Sequence, residues 1–353
     1  MDRDWLENLL ATVIRSDASA LHLMPDRPPC MRLQGRFVQT ETPATSASEL
    51  EDLGRELMFE DHRRRLARGE EVELLYTSRQ GVRFRTLLLH EEGGIGALFR
   101  RVPLQVPGLA DLGLPELLAT FVAFRSGIVL LTGFVGAGKS TTLAAMVDRL
   151  NGDHARHVVT LEDPIEFVYE QKRAIVHQRE LRRHVASVPE GIATALRQGA
   201  EVVVVSALRE RADIEAILEA AERGALVIAA LHASGIVGCL SDVLRLYPHD
   251  ERGRTLLRLS TAMKVMVGQS LLQRSHQAGR IPLLEILINN PAVSRLLRAG
   301  EFHELPATME RHRGLGMQTI DMALKGLLNR NLITVDEALY HAVDRSWLSA
   351  RTR

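Results

Sequence analysis

The chain has 353 residues, 46% of them apolar and 25% charged, which is ordinary globular composition and enough for two or three domains, each with its own core. Its 44 basic and 44 acidic residues cancel, which argues against a protein that works mainly on a nucleic-acid backbone, since such chains carry a basic surplus. Two cysteines far apart, Cys30 and Cys239, read as reduced thiols of a cytoplasmic protein, and no uncharged apolar run nears the roughly 18 residues of a spanning helix.

Residues 1–103 read as a small α+β domain. An amphipathic start at Trp5-Leu6-Glu7-Asn8-Leu9-Leu10 precedes expected strands at 18–23, 31–33, 72–76, 82–88 and 97–101, with a helix at 48–58 between them. The opening Met1-Asp2-Arg3-Asp4 has no signal-peptide pattern, so a soluble chain with at most peripheral membrane association is expected. A linker follows at 104–114, marked by Pro103, Pro107 and Gly108. Residues 115–290 then alternate helices with continuous apolar runs at 128–132, 158–161, 202–205, 226–231 and 281–288. Such runs predict a parallel sheet covered on both faces. A helical C-terminal region is expected over 291–353.

The segment from Ile128 to Thr142 carries the chemistry. Gly133-Phe134-Val135-Gly136-Ala137-Gly138-Lys139-Ser140 has the spacing of a P-loop, and it sits between an apolar strand and a helix start, the context that motif requires. Gly133, Gly136 and Gly138 let the backbone turn tightly and aim N–H groups at phosphate oxygens, with Ala137 and Thr141 in the same cradle. The helix start adds its positive dipole end. Lys139 supplies a charge at the β/γ-phosphates of ATP, and the Ser140 hydroxyl suits Mg²⁺.

Several further stretches resemble the PilT/PilU family, the twitching-motility ATPases of the type II/IV secretion ATPase superfamily. They are the P-loop with Leu143-Ala144-Ala145-Met146, Thr160-Leu161-Glu162-Asp163-Pro164-Ile165-Glu166-Phe167, Gln178-Arg179-Glu180, Leu231-His232-Ala233 and Gly316-Met317-Gln318-Thr319-Ile320-Asp321. Leu21-His22-Leu23, Arg83-Phe84-Arg85 and Phe99-Arg100 match in the first domain. The Leu231-His232-Ala233 box and Gly300-Glu301-Phe302-His303-Glu304-Leu305 lean towards the PilU-like side. The resemblance implies a PAS-like N-terminal domain, a RecA-like ATPase domain and a ring-shaped homohexamer at the cytoplasmic base of a type IV pilus. There it would meet an inner-membrane platform protein and a PilT-like ATPase. ATP turnover would drive pilus retraction, with no nucleic acid involved.

Within that frame Glu162 follows a strand and is the expected group to orient or deprotonate the attacking water. Asp163 and Glu166 suit loop geometry or the ion's outer shell. His232, at a strand end, suits γ-phosphate sensing. Arg100, with Arg83 and Arg85, could reach nucleotide phosphate within the subunit or from its neighbour. The chain also departs from the family. Where the resemblance implies Gly-Glu after the strand at 202–205, the residues are Ser206-Ala207, so the Walker-B glutamate is lost. The family's Gly, Asp and Thr are Arg182, His184 and Val185, one family arginine is Ala193, and Phe134-Val135 replaces the usual Pro-Thr. Binding of ATP should survive these changes, while hydrolysis loses a carboxylate that neutralises charge and places metal. Two functions follow: a retraction ATPase, or a hydrolysis-deficient nucleotide-binding partner of an active PilT-like motor.

Overall fold

Alternating apolar and polar residues in the first hundred positions produce a half-buried antiparallel sheet. The computed structural model describes residues 3–33, 36–102, 105–275 and 279–347. The chain divides into two compact units, Met1–Gln105 with Pro164–Val168, and Val106–Asp163 with Tyr169–Arg353.

The first unit runs α1 (Arg3–Arg15), β1 (Ala20–Leu23), β2 (Cys30–Leu33), β3 (Arg36–Gln39), α2 (Ala47–Leu57), α3 (Glu60–Ala67), β4 (Val72–Thr77), β5 (Arg83–Glu91) and β6 (Gly94–Val102). Its sheet has the order β3-β2-β1-β6-β5-β4, antiparallel throughout. Along β5 the residues Phe84, Thr86 and Leu88 point inward and Arg83, Arg85 and Leu87 outward, as the two-residue period demands. Leu6, Leu9, Leu10 and Val13 recur at helical spacing on α1 and bury against Leu21, Phe84, Leu88 and Phe99. Phe84 is fully buried, so Phe84→Ala is expected to cost about 3–5 kcal/mol, read from the urea midpoint of the whole chain. A capping box starts α2: Ser46 Oγ accepts from Glu49 N at 3.3 Å, and Glu49 Oε2 accepts from Ser46 N at 2.9 Å. The α3 helix and strand β3 were not expected. Every residue of β3 is exposed, so no alternation of burial marked it.

The second unit runs α4 (Leu117–Phe121), β7 (Gly127–Thr132), α5 (Lys139–Asp153), β8 (His157–Glu162), β9 (Ile175–Glu180), α6 (Val188–Arg197), β10 (Val202–Leu208), α7 (Arg211–Glu222) and β11 (Leu226–Leu231). It continues with α8 (Gly235–Arg245), α9 (Arg252–Ala262), β12 (Met263–Gln273), β13 (Arg280–Ile288), α10 (Pro291–Ala299), α11 (Leu305–Arg311), α12 (Ile320–Asn329) and α13 (Val335–His341). The seven-stranded sheet has the order β13-β12-β7-β11-β10-β8-β9. The central strands are buried on both faces. Ile128, Leu130, Val203, Val205, Val227 and Ala229 join one core with α6 to α9, while Val129, Leu131, Val202, Val204, Leu226 and Ile228 join the other with α4 and α5. This is an α/β, RecA-like domain with a helical C-terminal region beyond residue 291, preceded by the PAS-like α+β unit.

Three expectations change. The sheet is not wholly parallel: β13 runs antiparallel to β12, because the connection over residues 274–279 is too short for a crossover. The β12 and β9 strands were not anticipated. The helix expected between residue 115 and the apolar run at 128 is only Leu117–Phe121, and the carbonyls of Ala123 and Phe124 instead accept from the Arg156 guanidinium. In the C-terminal region Gln318 bridges back to Ile286, and α12 and α13 pack on Leu272, Ile281 and Leu283.

Candidate functional site

The β7 strand ends at Thr132 and the chain turns through Gly133 to Gly138 into α5. The turn needs its glycines. Gly133, Gly136 and Gly138 have φ of +153°, +81° and +83°, and a Cβ on Gly133 would fall on the Gln269 carbonyl oxygen. Gly133→Ala is therefore expected to disrupt the loop, and the loss of a nucleotide-induced rise in Tm checks it; an unchanged rise would refute the requirement.

Lys139 opens α5 with a largely buried side chain. Its Nζ donates to the carbonyls of Gly133 at 2.6 Å and Phe134 at 2.9 Å, and lies 3.1 Å from His232 Nδ1. Burial holds the ammonium below the ordinary lysine pKa. His232 follows β11, the strand directly beside β7, so sheet order brings the two together. Burial first, then Lys139 and Arg209, keep the imidazole below its usual pKa. Ala137 is buried, while Ser140 is exposed at the first turn of α5 beside the half-buried Thr141.

Glu162 is the last residue of β8. Its Oε1 accepts from Thr160 Oγ1 at 2.6 Å and Gln178 Nε2 at 2.9 Å. Chain order makes β8 the next strand after the P-loop strand, yet the two are not neighbours in the sheet. It is third from β7, beyond β11 and β10, about 14 Å away at the usual strand spacing. Next to it, Asp163 Oδ2 accepts from both Arg209, at 3.0 Å, and Arg182, and the Asp163 N–H donates to Ser206 Oγ at 3.2 Å. The pairing of β10 with β11 slips between Val205 and Leu208, which places a bulge at Ser206 and Ala207, at the end of the strand. Beyond it the buried Asp213 accepts the backbone N–H groups of Arg209 at 2.8 Å and Glu210 at 3.2 Å, which sets the start of α7. The Glu201 carboxylate accepts from His157 N at the opposite end of β10. In the first unit Arg85 pairs with Glu73 and, at 2.5 Å, with Glu166, and it stands opposite the exposed Arg100 in register.

Two supporting residues escaped the sequence reading. Gln269 of β12 donates to the Ala137 carbonyl at 2.8 Å and accepts from Thr142 Oγ1 at 2.9 Å, so it pins the P-loop from the side. Glu285 of β13 is buried and accepts the N–H of Ile236 at 2.9 Å, at the start of the helix that follows His232. A lone polar residue inside an apolar run was the only signal for either. Burial raises the Glu285 pKa. Its folded pKa thus exceeds the unfolded one, so its favourable contribution belongs to low pH and is lost as pH rises through the folded pKa. Glu285→Gln, which keeps an acceptor but cannot ionise, is expected to raise Tm at about pH 8, with the gain vanishing near pH 4. An equal or lower Tm at the higher pH would contradict this.

Fold and site together define a P-loop ATPase with a RecA-like core. The chain belongs to the type II/IV secretion system protein family, which it matches over residues 4–331, and within it to the PilT/PilU group of twitching-motility ATPases. It is 32% identical to the type IV pilus ATPase PilU of Pseudomonas aeruginosa, over 95% of this chain and 88% of that one. To the type IV pilus retraction ATPase PilT of the same organism it is 33% identical, over 94% of this chain and 96% of that one. Identity this even does not separate the PilU-like from the PilT-like side. A crystal structure of the pilus retraction motor PilT with bound ADP superposes with a TM-score of 0.87 at 29% identity, covering 98% of both chains. The Legionella pneumophila ATPase DotB follows at 0.78 and 26%, covering 96% of this chain and 95% of that one.

Proposed function

We propose that this chain is an ATP-binding motor of the type IV pilus machinery that couples hydrolysis to pilus retraction. The observation that carries the reading is a formed P-loop, with Lys139 gathered onto its carbonyls and His232, in a chain similar along its whole length to a pilus retraction motor. The proposed cradle is Gly133, Gly136, Ala137, Gly138, Lys139, Ser140 and Thr141. Lys139 exchanges its carbonyl partners for β/γ-phosphate oxygens. His232 reports on the γ-phosphate through its contact with Lys139. Glu162 takes the proton of a water that adds to the γ-phosphorus, while the bond to the bridging oxygen breaks and ADP and phosphate leave. The nucleotide lies along the carboxyl edge of the sheet, which lets its far end approach β8. Arg100, exposed on β6, is proposed to approach the phosphates within the subunit or from its neighbour.

Mg²⁺ is the usual companion of such a nucleotide, and Ser140 is the hydroxyl proposed for it. P-loop sites pair that hydroxyl with a strand-end carboxylate. Here the strand end carries Ala207, the nearby Asp163 is committed to two guanidinium groups, and no cluster of three His, Cys, Asp or Glu suited to a metal occurs among the described residues. The protein ligands do not complete a Mg²⁺ site.

The proposed assembly is a homohexameric ring, cytoplasmic and peripheral to the inner membrane at the pilus base, touching the platform protein and a PilT-like ATPase. No helix among the described residues is long and apolar enough to cross a membrane. Ala207 supports a second reading, a nucleotide-binding ring partner that hydrolyses poorly by itself. Steady-state ATP turnover, alone and mixed with a PilT-like motor from the same cell, separates the two. Turnover alone that is lost in Lys139→Ala supports the motor. Binding without turnover supports the accessory ring, and failure to bind ATP overturns both.

A further inference from the structure

Resting on the nucleotide-binding reading above, we infer that Glu285 is a positioning residue that holds His232 against the P-loop lysine. His232 follows β11, and the turn after it leads into α8 at Gly235. That helix has no cap of its own, because the side chain of Ser234, its N-cap residue, makes no capping hydrogen bond. The missing acceptor comes from 49 residues away. Glu285 of β13 reaches across the sheet, and its Oε2 accepts from Ile236 N at 2.9 Å. The start of the turn is fixed as well, since the Ala233 carbonyl accepts from Thr132 Oγ1 at 3.3 Å. The turn that follows His232 is thus pinned at both ends by residues of the sheet.

Strand register makes this possible. Leu231, Thr132, Gly268 and Glu285 stand opposite one another in a single row across β11, β7, β12 and β13. To reach α8 from the edge strand the carboxylate passes over β12, and the residue beneath it there is Gly268. A Cβ at that position would fall 3.0 Å from Glu285 Oε2 and 3.2 Å from Glu285 Cβ, so the carboxylate fills the space of the absent side chain. Gly235 meets it from the other side. Its φ is +63°, and a Cβ there would lie 3.3 Å from the same oxygen. Two glycines and a buried carboxylate therefore make one joint between the edge strand and the His232 turn. Gln269, the next residue of β12, pins the P-loop through the Ala137 carbonyl, so one short stretch of strand serves both halves of the site.

The joint is also held from outside. Gln318 forms an antiparallel bridge with Ile286, and its Nε2 donates to the Leu284 carbonyl at 2.8 Å, so it grips β13 on either side of Glu285. This gives a task to the 316–321 stretch, which contributes nothing directly to the phosphate cradle. A carboxylate that is 8% exposed is costly to bury, and Ser234 already offers a hydroxyl for a simple cap. What the distant carboxylate adds is a fixed reference. It ties α8 to the same row of the sheet as Thr132, the last residue before the P-loop. Lys139 is placed by the loop that leaves Thr132, and His232 by the turn held between Thr132 and Glu285. The 3.1 Å contact between His232 Nδ1 and Lys139 Nζ depends on both.

The test compares Kd for a non-hydrolysable ATP analogue with Kd for ADP, on the full chain and its variants. His232→Ala removes the group proposed to report on the γ-phosphate. It is expected to lower the preference for the ATP analogue about fivefold or more, with ADP binding within about twofold of the unaltered chain. Glu285→Ala is expected to do the same. Glu285→Gln should restore the preference to within about twofold, because the amide oxygen still accepts from Ile236 N. The double variant Glu285→Ala/His232→Ala should lose no more than His232→Ala alone, as expected of two residues that act through one contact. Should Glu285→Ala not fold, Gly268→Ala takes its place: it keeps the carboxylate but crowds it away from Ile236, and a reduced preference is again expected. The inference is overturned by an unchanged preference in whichever of these two folds while His232→Ala shows a change. Equal weakening for both nucleotides, no recovery in Glu285→Gln, or additive losses in the double variant would overturn it too. No effect of His232→Ala would remove the sensor from the proposed function and this role with it. Absence of binding by the unaltered chain would instead sink the nucleotide reading itself.

Discussion

Lys139→Ala is expected to weaken ATP binding by at least about tenfold and to abolish the nucleotide-induced rise in Tm. The side chain is 6% exposed, and its Nζ is surrounded by acceptors of its own loop, the carbonyls of Gly133 and Phe134, with His232 beside them. No carboxylate accompanies it among those contacts. The ammonium is therefore a buried charge with only dipoles for partners, and burial already depresses its pKa. A phosphate anion is the partner that such a charge lacks. Alanine removes the charge and leaves the glycine turn, so a loss of binding with an unaltered circular dichroism spectrum is the expected pattern. Unchanged affinity would sink the assignment of the site.

Glu162→Gln is expected to lower kcat for ATP at least about a hundredfold while Kd changes less than about threefold, since a positioned general base contributes that much to the chemical step and little to ground-state binding. The geometry makes the substitution a clean one. Glu162 sits at the end of β8 with one oxygen engaged by Thr160 and Gln178, and a glutamine can keep an acceptor there. It stands about three strands from Lys139, so loss of its charge should not disturb the phosphate cradle. Single-turnover and equilibrium-binding measurements on the same preparation separate the outcomes. Equal turnover would remove Glu162 from the chemistry, and loss of binding would make it structural. If the unaltered chain turns ATP over only when mixed with a PilT-like motor, the comparison is made in that mixture.

The consequences of Ala207 depend on its surroundings more than on its identity. From the sequence, its methyl group signals a missing carboxylate. In the structure the same position lies on a bulge beside an Asp163 that two arginines share. The strand end has lost a carboxylate, and the one that remains nearby is held by guanidinium groups.

Local chemistry was legible in the linear order of residues. A strand, three glycines, a lysine and a hydroxyl at fixed spacing make a phosphate cradle wherever they occur, because backbone N–H groups and a helix start do the binding. Apolar runs such as 202–205 and 226–231 announced strands buried on both faces, and the period-two pattern of 82–88 announced a half-exposed one. Partners distant in sequence were not legible. His232 meets Lys139 because β11 is inserted beside β7, and Glu162 lies further away than chain order suggested because β11 and β10 intervene. Gln269 pins the P-loop from a strand that no periodicity marked, and Arg182 meets Arg209 only through the carboxylate of Asp163. Residue type and spacing decide how a short stretch of backbone hydrogen-bonds and turns. Which charges then face one another is settled by strand order and packing, which arise from the burial of apolar surface over the whole chain.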